Sequence, residues 1–307
     1  MDIYLPIAEM SVNALVIVSF GAVVGFLSGM FGVGGGFLTT PLLIFYGIPP
    51  SVAVASAATQ IAGSSVSGVR AHWRRGGVDP KMGGVLIAGG LVGSTLGSLI
   101  FKALKDVGQI DFIIQLLYVL ILGVIGGLML IESVGALVRA HKGQTAPPAR
   151  KRHHGLLHRL PWRMRFPRSG LYISPLAPAA LGAGVGMLTA IMGVGGGFIL
   201  VPAMIYMLGV STSVVVGTSL FQIIFISAAV TVLHAVNTQS VDILLAVLLL
   251  VGGTVGAQLG AQFAQKLGGE KLRVALGLLV FLVSARLAVE LMIRPSELFS
   301  VVEDITL

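Results

Sequence analysis

The sequence predicts an all-α polytopic membrane protein built from two homologous repeats, each a glycine-broken re-entrant helical hairpin followed by three transmembrane helices. Apolar residues make up 55% of the 307 positions and charged residues only 10%, whereas soluble chains carry about 25% charged residues. Six apolar segments have the roughly 20-residue length that a membrane-crossing helix needs. A glycine-rich heptapeptide occurs twice, once in each half of the chain.

The distribution of charge excludes several classes of function. No charged side chain occurs from residue 11 to residue 69, and nine of the 20 Lys and Arg residues lie in 139–168, where no acidic residue occurs. A soluble enzyme could not cover its surface with this composition. Basic loops of this kind are typical of the cytoplasmic side of membrane proteins. We therefore predict contact with the lipid bilayer and no nucleic-acid partner.

Six segments are predicted to cross the bilayer as single helices. They cover residues 52–72, 83–104, 111–138, 214–234, 241–267 and 270–293. Two further apolar stretches, 14–46 and 175–208, are each interrupted by glycines that leave a second piece of only about ten residues. Because such a piece is too short to cross a bilayer, each stretch is predicted to form a broken hairpin.

The two interruptions have nearly the same sequence. Residues 31–37 read FGVGGGF and residues 192–198 read MGVGGGF, and a proline, Pro41 or Pro202, follows each motif at the same distance. Further identical pairs, 162 or 163 residues apart, are Gly47 with Gly209, Ser51 with Ser213, Gln60 with Gln222, His72 with His234 and Asp79 with Asp242. This periodicity predicts an internal duplication. The first membrane repeat covers 1–138, a basic cytoplasmic linker 139–174 and the second membrane repeat 175–307.

The basic loops predict how the two repeats are oriented. Loops 70–81, 139–168 and 266–273 are placed in the cytoplasm by their Lys and Arg residues. Two crossings already join each successive pair of basic loops, so each broken stretch must enter and leave on one face. The odd number of crossings per repeat inverts the second repeat relative to the first and places the N-terminus outside. Broken helices that do cross would instead give parallel repeats, and Lys102 and Lys105 fall on the outer side against the usual bias.

The glycine clusters are candidate anion-binding elements. Glycine tolerates a positive φ and leaves no side chain between the backbone and a ligand. The short helix after each cluster begins with unpaired N–H groups, which bind anions. The predicted residues are Gly34, Gly35, Gly36, Gly195, Gly196 and Gly197. Tight helix packing is the alternative explanation, and it is preferred for Gly89, Gly90, Gly93 and Gly97.

Gln60 and Gln222 are the candidate side-chain ligands because they occupy equivalent positions in the span that follows each hairpin. A buried amide offers two donors to an oxyanion without the desolvation cost of a charge. Neighbouring hydroxyl residues are predicted to join them, namely Ser56, Thr59, Thr218 and Ser219. Helix-to-helix hydrogen bonding is the alternative for all of these side chains. His72 and His234 end their spans and are predicted to lie at the membrane interface.

No catalytic residue, metal ligand or cofactor is predicted. The chain has no cysteine and no HExxH sequence, and GVGGGF lacks the Lys-Ser/Thr pair of a nucleotide-binding Walker motif. These observations favour a secondary transporter over an intramembrane enzyme. Energy for transport is then expected from an ion gradient, with H⁺ as the candidate coupling ion.

Two halves that each open with a GxGGG-containing hairpin and a downstream proline, followed by a glutamine in the next span, resemble the TauE/SafE family of sulfite and organosulfonate exporters. The resemblance covers about residues 14–138 and 175–293. It implies export of small sulfur-containing anions such as sulfite, sulfoacetate or other organosulfonates across the bacterial inner membrane. A channel or permease for another small organic anion is the alternative. The basic linker lies outside the family pattern, and the oligomeric state is left open.

Overall fold

A computed structural model describes residues 2–31, 34–141, 162–264 and 269–292, and these residues are mostly helical. The helices of the first half are α1 Ala14–Phe31, α2 Gly36–Phe45, α3 Pro50–Arg74, α4 Pro80–Asp106 and α5 Ile110–His141. Those of the second half are α6 Leu176–Met192, α7 Gly197–Ala203, α8 Thr212–Asn237, α9 Ile243–Ala264 and α10 Gly269–Met292. Two antiparallel hairpins precede α1 and α6; they pair β1 Asp2–Leu5 with β2 Met10–Asn13, and β3 Met164–Phe166 with β4 Leu171–Ile173.

Six of the described helices, α3, α4, α5, α8, α9 and α10, are long and apolar enough to cross a membrane. They coincide with the six predicted segments, and their ends differ from the predicted ones by three residues or fewer. The prediction of six membrane-crossing helices is thereby confirmed. The four shorter helices, α1, α2, α6 and α7, form the two glycine-broken stretches.

The first broken stretch reverses direction at its glycine cluster. Gly35, the residue before α2, has a φ of 72°, in the left-handed region that favours glycine. At the other end of α2, the Tyr46 hydroxyl accepts a hydrogen bond from the backbone N–H of Asn13 at 3.4 Å, and the Tyr46 ring packs edge-on against Phe20. The end of α2 therefore lies beside the start of α1, as a helical hairpin requires.

The second broken stretch contains one additional residue. Pro41 and Pro202 are 161 positions apart, whereas Gly47 and Gly209 are 162 apart, so the extra residue falls between 202 and 209. A π-helical turn, Met204–Leu208, occupies this interval and extends α7. A π turn closes its hydrogen bonds from i to i+5 and so accommodates one residue more than an α turn. The insertion is thus absorbed without changing the hairpin.

Helices of one half pack along helices of the other in a reciprocal pattern. α1 packs against α9, and α4 packs against α6. At these crossings backbone meets backbone: the Cα of Gly25 faces Gly253, and that of Gly93 faces the carbonyl of Ala183. Small residues permit this close approach between membrane helices. The packing role preferred for the α4 glycines from the sequence fits this contact.

Equivalent helices of the two halves run antiparallel. In the α3–α8 pair, Thr59 donates a hydrogen bond to Thr231. Gly68 lies nine residues after Thr59 in α3 and faces Leu220, which lies eleven residues before Thr231 in α8. In the α5–α10 pair, Gly123 faces Ser284 and Gly126 faces Val280 and Phe281.

The β-hairpins were not predicted from the sequence, and each one donates hydrogen bonds to the aspartate that caps a helix of the other half. The backbone N–H of Ile7, in the first hairpin, donates to Asp242 Oδ2 at 3.1 Å, just before α9. Ser169, in the second hairpin, donates its N–H and its hydroxyl to Asp79 Oδ2 at 2.9 and 2.8 Å, just before α4. The second hairpin falls within the predicted linker, of which residues 142–161 lie outside the described part of the chain.

Candidate functional site

The two glycine clusters meet in the interior, between α3 and α8. Gly34 faces Ile223 of α8, and Gly195 faces Ile61 of α3, so each cluster touches the residue after the glutamine of the opposite half. The rings of Phe37 and Phe198 stack with their centroids 4.8 Å apart. All six predicted glycines are buried. Two segments separated by about 160 positions in sequence thus form one buried cluster.

The backbone geometry of the clusters accounts for much of their glycine content. Gly34, Gly35, Gly195 and Gly196 have φ values between 72° and 88°. A Cβ on Gly196 would also collide with Val185. The first-turn N–H of Leu200 donates to the Gly196 carbonyl at 2.7 Å. The glycines are therefore required by the turn itself, and a binding role for them is a separate proposal.

Gln60 is 1% exposed, and its side chain bonds to α2, in the first glycine-broken stretch. Its Oε1 accepts a hydrogen bond from the Thr39 hydroxyl at 2.9 Å, and Thr39 lies in the first turn of α2, directly after the glycine cluster. On the other side, Gly253 of α9 leaves room for Nε2, since a Cβ there would lie 2.7 Å from that nitrogen. Gln60 is thus oriented by its carbonyl oxygen, with its donors on the remaining side.

Gln222 is equally buried, yet neither atom of its amide has a hydrogen-bond partner among the described residues. Gly90 of α4 lies next to the Gln222 amide, and its lack of a side chain leaves space for that amide, since a Cβ on Gly90 would lie 3.2 Å from Gln222 Nε2. Leu200 occupies the position equivalent to Thr39, 161 residues later, and offers no hydroxyl. A buried amide without partners is costly. This side chain is the strongest indication of a ligand in the site.

The four predicted hydroxyl residues make protein contacts. Ser56 Oγ accepts from the backbone N–H of Asp242 at 3.1 Å, and Thr218 Oγ1 accepts from that of Asp79 at 3.0 Å, so both brace the start of a helix in the opposite half. Thr59 donates to Thr231 at 3.2 Å. Ser219 donates to a carbonyl of its own helix. Their role as anion ligands stays a prediction.

Sequence reasoning missed Thr39 and the room made by Gly90 and Gly253. Thr39 follows the glycine cluster by one helical turn, which is the spacing that could have identified it. His234, predicted to lie at the membrane interface, is fully buried among other residues of the protein, and its depth in the membrane stays a prediction. Its Nε2 lies 2.8 Å from the Ala190 carbonyl, and its ring packs edge-on against Phe101.

Comparison with known proteins identifies the family. The family model described as "Sulfite exporter TauE/SafE" matches residues 17–287. The chain belongs to the TauE/SafE family. A "Probable membrane transporter protein" of Xylella fastidiosa (strain 9a5c) is 29% identical over 280 residues, covering 90% of this chain and 95% of the relative. The "Probable membrane transporter protein YjnA" of Bacillus subtilis (strain 168) is 27% identical over 271 residues, covering 88% of this chain and 98% of the relative.

Membership in the TauE/SafE family and six long apolar helices make this protein a multi-pass membrane transporter of the cell membrane. The relatives are named as membrane transporters, which are not enzymes, and their names specify no substrate. No solved structure matches the chain with significance. Within the described residues, no group of three or more His, Cys, Asp or Glu side chains is placed to hold a metal ion.

Proposed function

We propose that this TauE/SafE protein is a secondary transporter that exports small sulfur-containing anions, such as sulfite, sulfoacetate or other organosulfonates, across the bacterial inner membrane. The anion binds between the two glycine clusters and the amides of Gln60 and Gln222. The observation that carries this proposal is the Gln222 amide, which is 1% exposed and has no partner for either of its polar atoms in the described structure.

Neutral donors suit a transporter of anions. The site lies in stretches without Lys or Arg, because 11–69 carries no charge and 175–265 only Asp242. Backbone N–H groups and amides hold an oxyanion by hydrogen bonds, and binding must be weak enough for the anion to leave. A buried cation would hold it more tightly and would itself be costly in the membrane.

Alternating access follows if the repeats are inverted in the membrane. Two observations support that arrangement: α3 runs antiparallel to α8, and α5 to α10. Inverted repeats related by an axis in the membrane plane bind substrate where they meet near the midplane. The contact between the two glycine clusters, beside the stacked rings of Phe37 and Phe198, supports a binding site between the halves. Rocking of the halves about this point would open the site to each side in turn, driven by an ion gradient such as that of H⁺.

Counterflow in proteoliposomes tests the transporter. Vesicles loaded with unlabelled sulfoacetate and containing the purified protein are expected to accumulate labelled sulfoacetate transiently, with saturable rates, and an imposed pH gradient is expected to change the steady level. Protein with Gln222→Leu is the matched control and should show little accumulation at the same labelled concentration. A flux that neither saturates nor shows counterflow would instead indicate a channel. Equal transport of a sulfur-free carboxylate would indicate a permease for other organic anions.

A further inference from the structure

The two glutamines of the site are equivalent in sequence but differ in what they offer a ligand. Gln60 Oε1 already accepts the Thr39 hydroxyl at 2.9 Å, so this amide has only its N–H donors left. Both Gln222 Oε1 and Gln222 Nε2 are buried without a partner in the described residues. The difference arises at one position, because Leu200 stands where the first half has Thr39.

An oxyanion satisfies only donors. It would pair with the N–H groups of both amides, but Gln222 Oε1 would remain a buried acceptor facing an acceptor, and such a group costs the full desolvation penalty. A ligand that leaves no group unsatisfied must therefore bring a hydrogen-bond donor of its own. Sites built to pair with a substrate donor discriminate strongly against analogues that lack it.

We infer that, among the sulfur-containing anions of the proposed function, the one bound most tightly carries a hydroxyl in addition to its sulfur-oxygen group, and that this hydroxyl donates to Gln222 Oε1; sulfoacetate, which lacks a hydroxyl, is expected to be a weaker substrate. The inference rests on the proposed function and specifies the substrate class within it. The halves of the site then have different tasks: Gln60, oriented by Thr39, supplies donors to the anionic group, and Gln222 supplies one donor and one acceptor.

The donor is a neutral hydroxyl and not an ammonium group. An ammonium would need a carboxylate when transferred from water into this interior. The two buried carboxylates among the described residues, Asp79 and Asp242, are both committed to caps. Asp79 accepts from Lys81, Met82 and Ser169, and Asp242 accepts from Leu245 and Ile7. A single amide oxygen is enough for a hydroxyl and too little for a charge.

Two sulfonates that differ only in one hydroxyl test the inference. Calorimetric titration of the purified full-length protein with 2-hydroxyethanesulfonate and ethanesulfonate compares ligands that differ by one hydroxyl. The hydroxylated ligand is expected to bind about tenfold more tightly, which corresponds to about 1.4 kcal/mol. The third ligand is 2-aminoethanesulfonate, which is expected to bind more weakly than either because its ammonium group finds no counter-ion.

Leu200→Thr provides the matched variant, because it reproduces in the second half the residue that Thr39 is in the first. Its hydroxyl is expected to donate to Gln222 Oε1, so that the tenfold preference disappears while ethanesulfonate affinity is retained or improved. A cooperative thermal unfolding transition of the variant in the same detergent checks that it is folded. If it is not, the affinities of the wild type for the two sulfonates still test the inference.

Each outcome decides a separate question. Equal affinities of the wild type for the hydroxylated and unsubstituted sulfonates would overturn the inference and leave the anion-transport proposal intact. Tighter binding of 2-aminoethanesulfonate would assign the donor to an ammonium group and also overturn it. Binding of none of the three ligands would overturn the proposed function together with the inference.

Discussion

Gln60 and Gln222 occupy equivalent positions, but their side-chain amides have different effects on the stability of the ligand-free protein. The Gln60 amide is stabilised by the hydrogen bond from Thr39. The Gln222 amide has no such partner in the described structure, so it lowers stability in the absence of ligand. Binding and stability therefore oppose each other at Gln222, as is common at functional sites.

Replacing each glutamine by leucine separates these contributions. Gln222→Leu is expected to weaken anion binding roughly ten- to a hundredfold, because a hydrogen bond to a charged group is worth about 1.5 to 3 kcal/mol. It should leave the stability of the ligand-free protein unchanged or raised, since a buried unpaired amide is removed. Gln60→Leu should weaken binding and also lower stability by about 1 kcal/mol. Isothermal titration and thermal unfolding in detergent measure the two effects, and unchanged affinity in both variants would assign the glutamines to helix packing.

At the scale of the element, the long helices depend on contacts that their own sequences do not contain. α4 begins at Pro80 after Asp79, whose carboxylate accepts from the N–H groups of Lys81 and Met82 and from Ser169 of the second β-hairpin. The same helix packs through backbone atoms on α6, where Gly93 meets Ala183. Capping and close packing therefore tie α4 to two segments of the other half.

Removing the cap is expected to destabilise the start of α4. Asp79→Ala should lower the free energy of unfolding by about 2 kcal/mol, because loss of an N-cap typically costs about 1 kcal/mol and the buried Ser169 donors also lose their acceptor. Lys81→Ala, which changes an exposed side chain next to the cap, is the control and should have little effect. Denaturant titration of both variants measures the difference. Equal stability of the two variants would show that the hairpin contact contributes nothing.

A second prediction concerns the α4–α6 contact. Gly93→Ala adds a methyl group where the Ala183 carbonyl lies and should destabilise the protein by about 1 to 3 kcal/mol, the usual cost of overpacking. Gly84→Ala lies on the same helix with nothing within 4 Å and should be neutral or slightly stabilising. Yield and thermal unfolding of the two variants distinguish them, and similar behaviour would contradict the close contact.

At the scale of the whole molecule, the two ends of the helix bundle carry different contacts. One end holds the first β-hairpin, Asp242 and Lys105, whose Nζ donates to the Thr238 carbonyl at 2.7 Å and to Ser240 Oγ at 2.8 Å. The basic loops predict that this end lies outside the cell, where lysine is less common. The hydrogen bonds to Thr238 and Ser240 explain why Lys105 is nevertheless found there. The other end holds the second β-hairpin, where Arg168 donates to the Val78 carbonyl.

Labelling from one side of the membrane tests the inverted arrangement. The chain has no cysteine, so Tyr4→Cys and Tyr172→Cys introduce single thiols at positions that are 58% and 56% exposed, one in each β-hairpin. In intact cells, an impermeant maleimide should label the first variant, whereas the second should react only after permeabilisation. Labelling of neither variant before permeabilisation would place both β-hairpins in the cytoplasm and favour parallel repeats, whereas labelling of the second variant from outside would refute the predicted topology.

The sequence by itself determined the membrane class, the six long apolar helices and the two broken stretches, because length, hydropathy and glycine content are local properties, and the internal duplication stays a prediction from its sequence pattern. It also selected the glutamines, whose equivalence is visible as a constant offset. Only the tertiary structure decided that Ser56 and Thr218 accept hydrogen bonds at helix starts, that the β-hairpins donate to the capping aspartates of the opposite half, and that Gln222 lacks a partner like the one Gln60 has. These contacts join residues 90 to 235 positions apart. Hydrogen-bond partners at such distances depend on how the two halves pack together, and neither half alone encodes that packing.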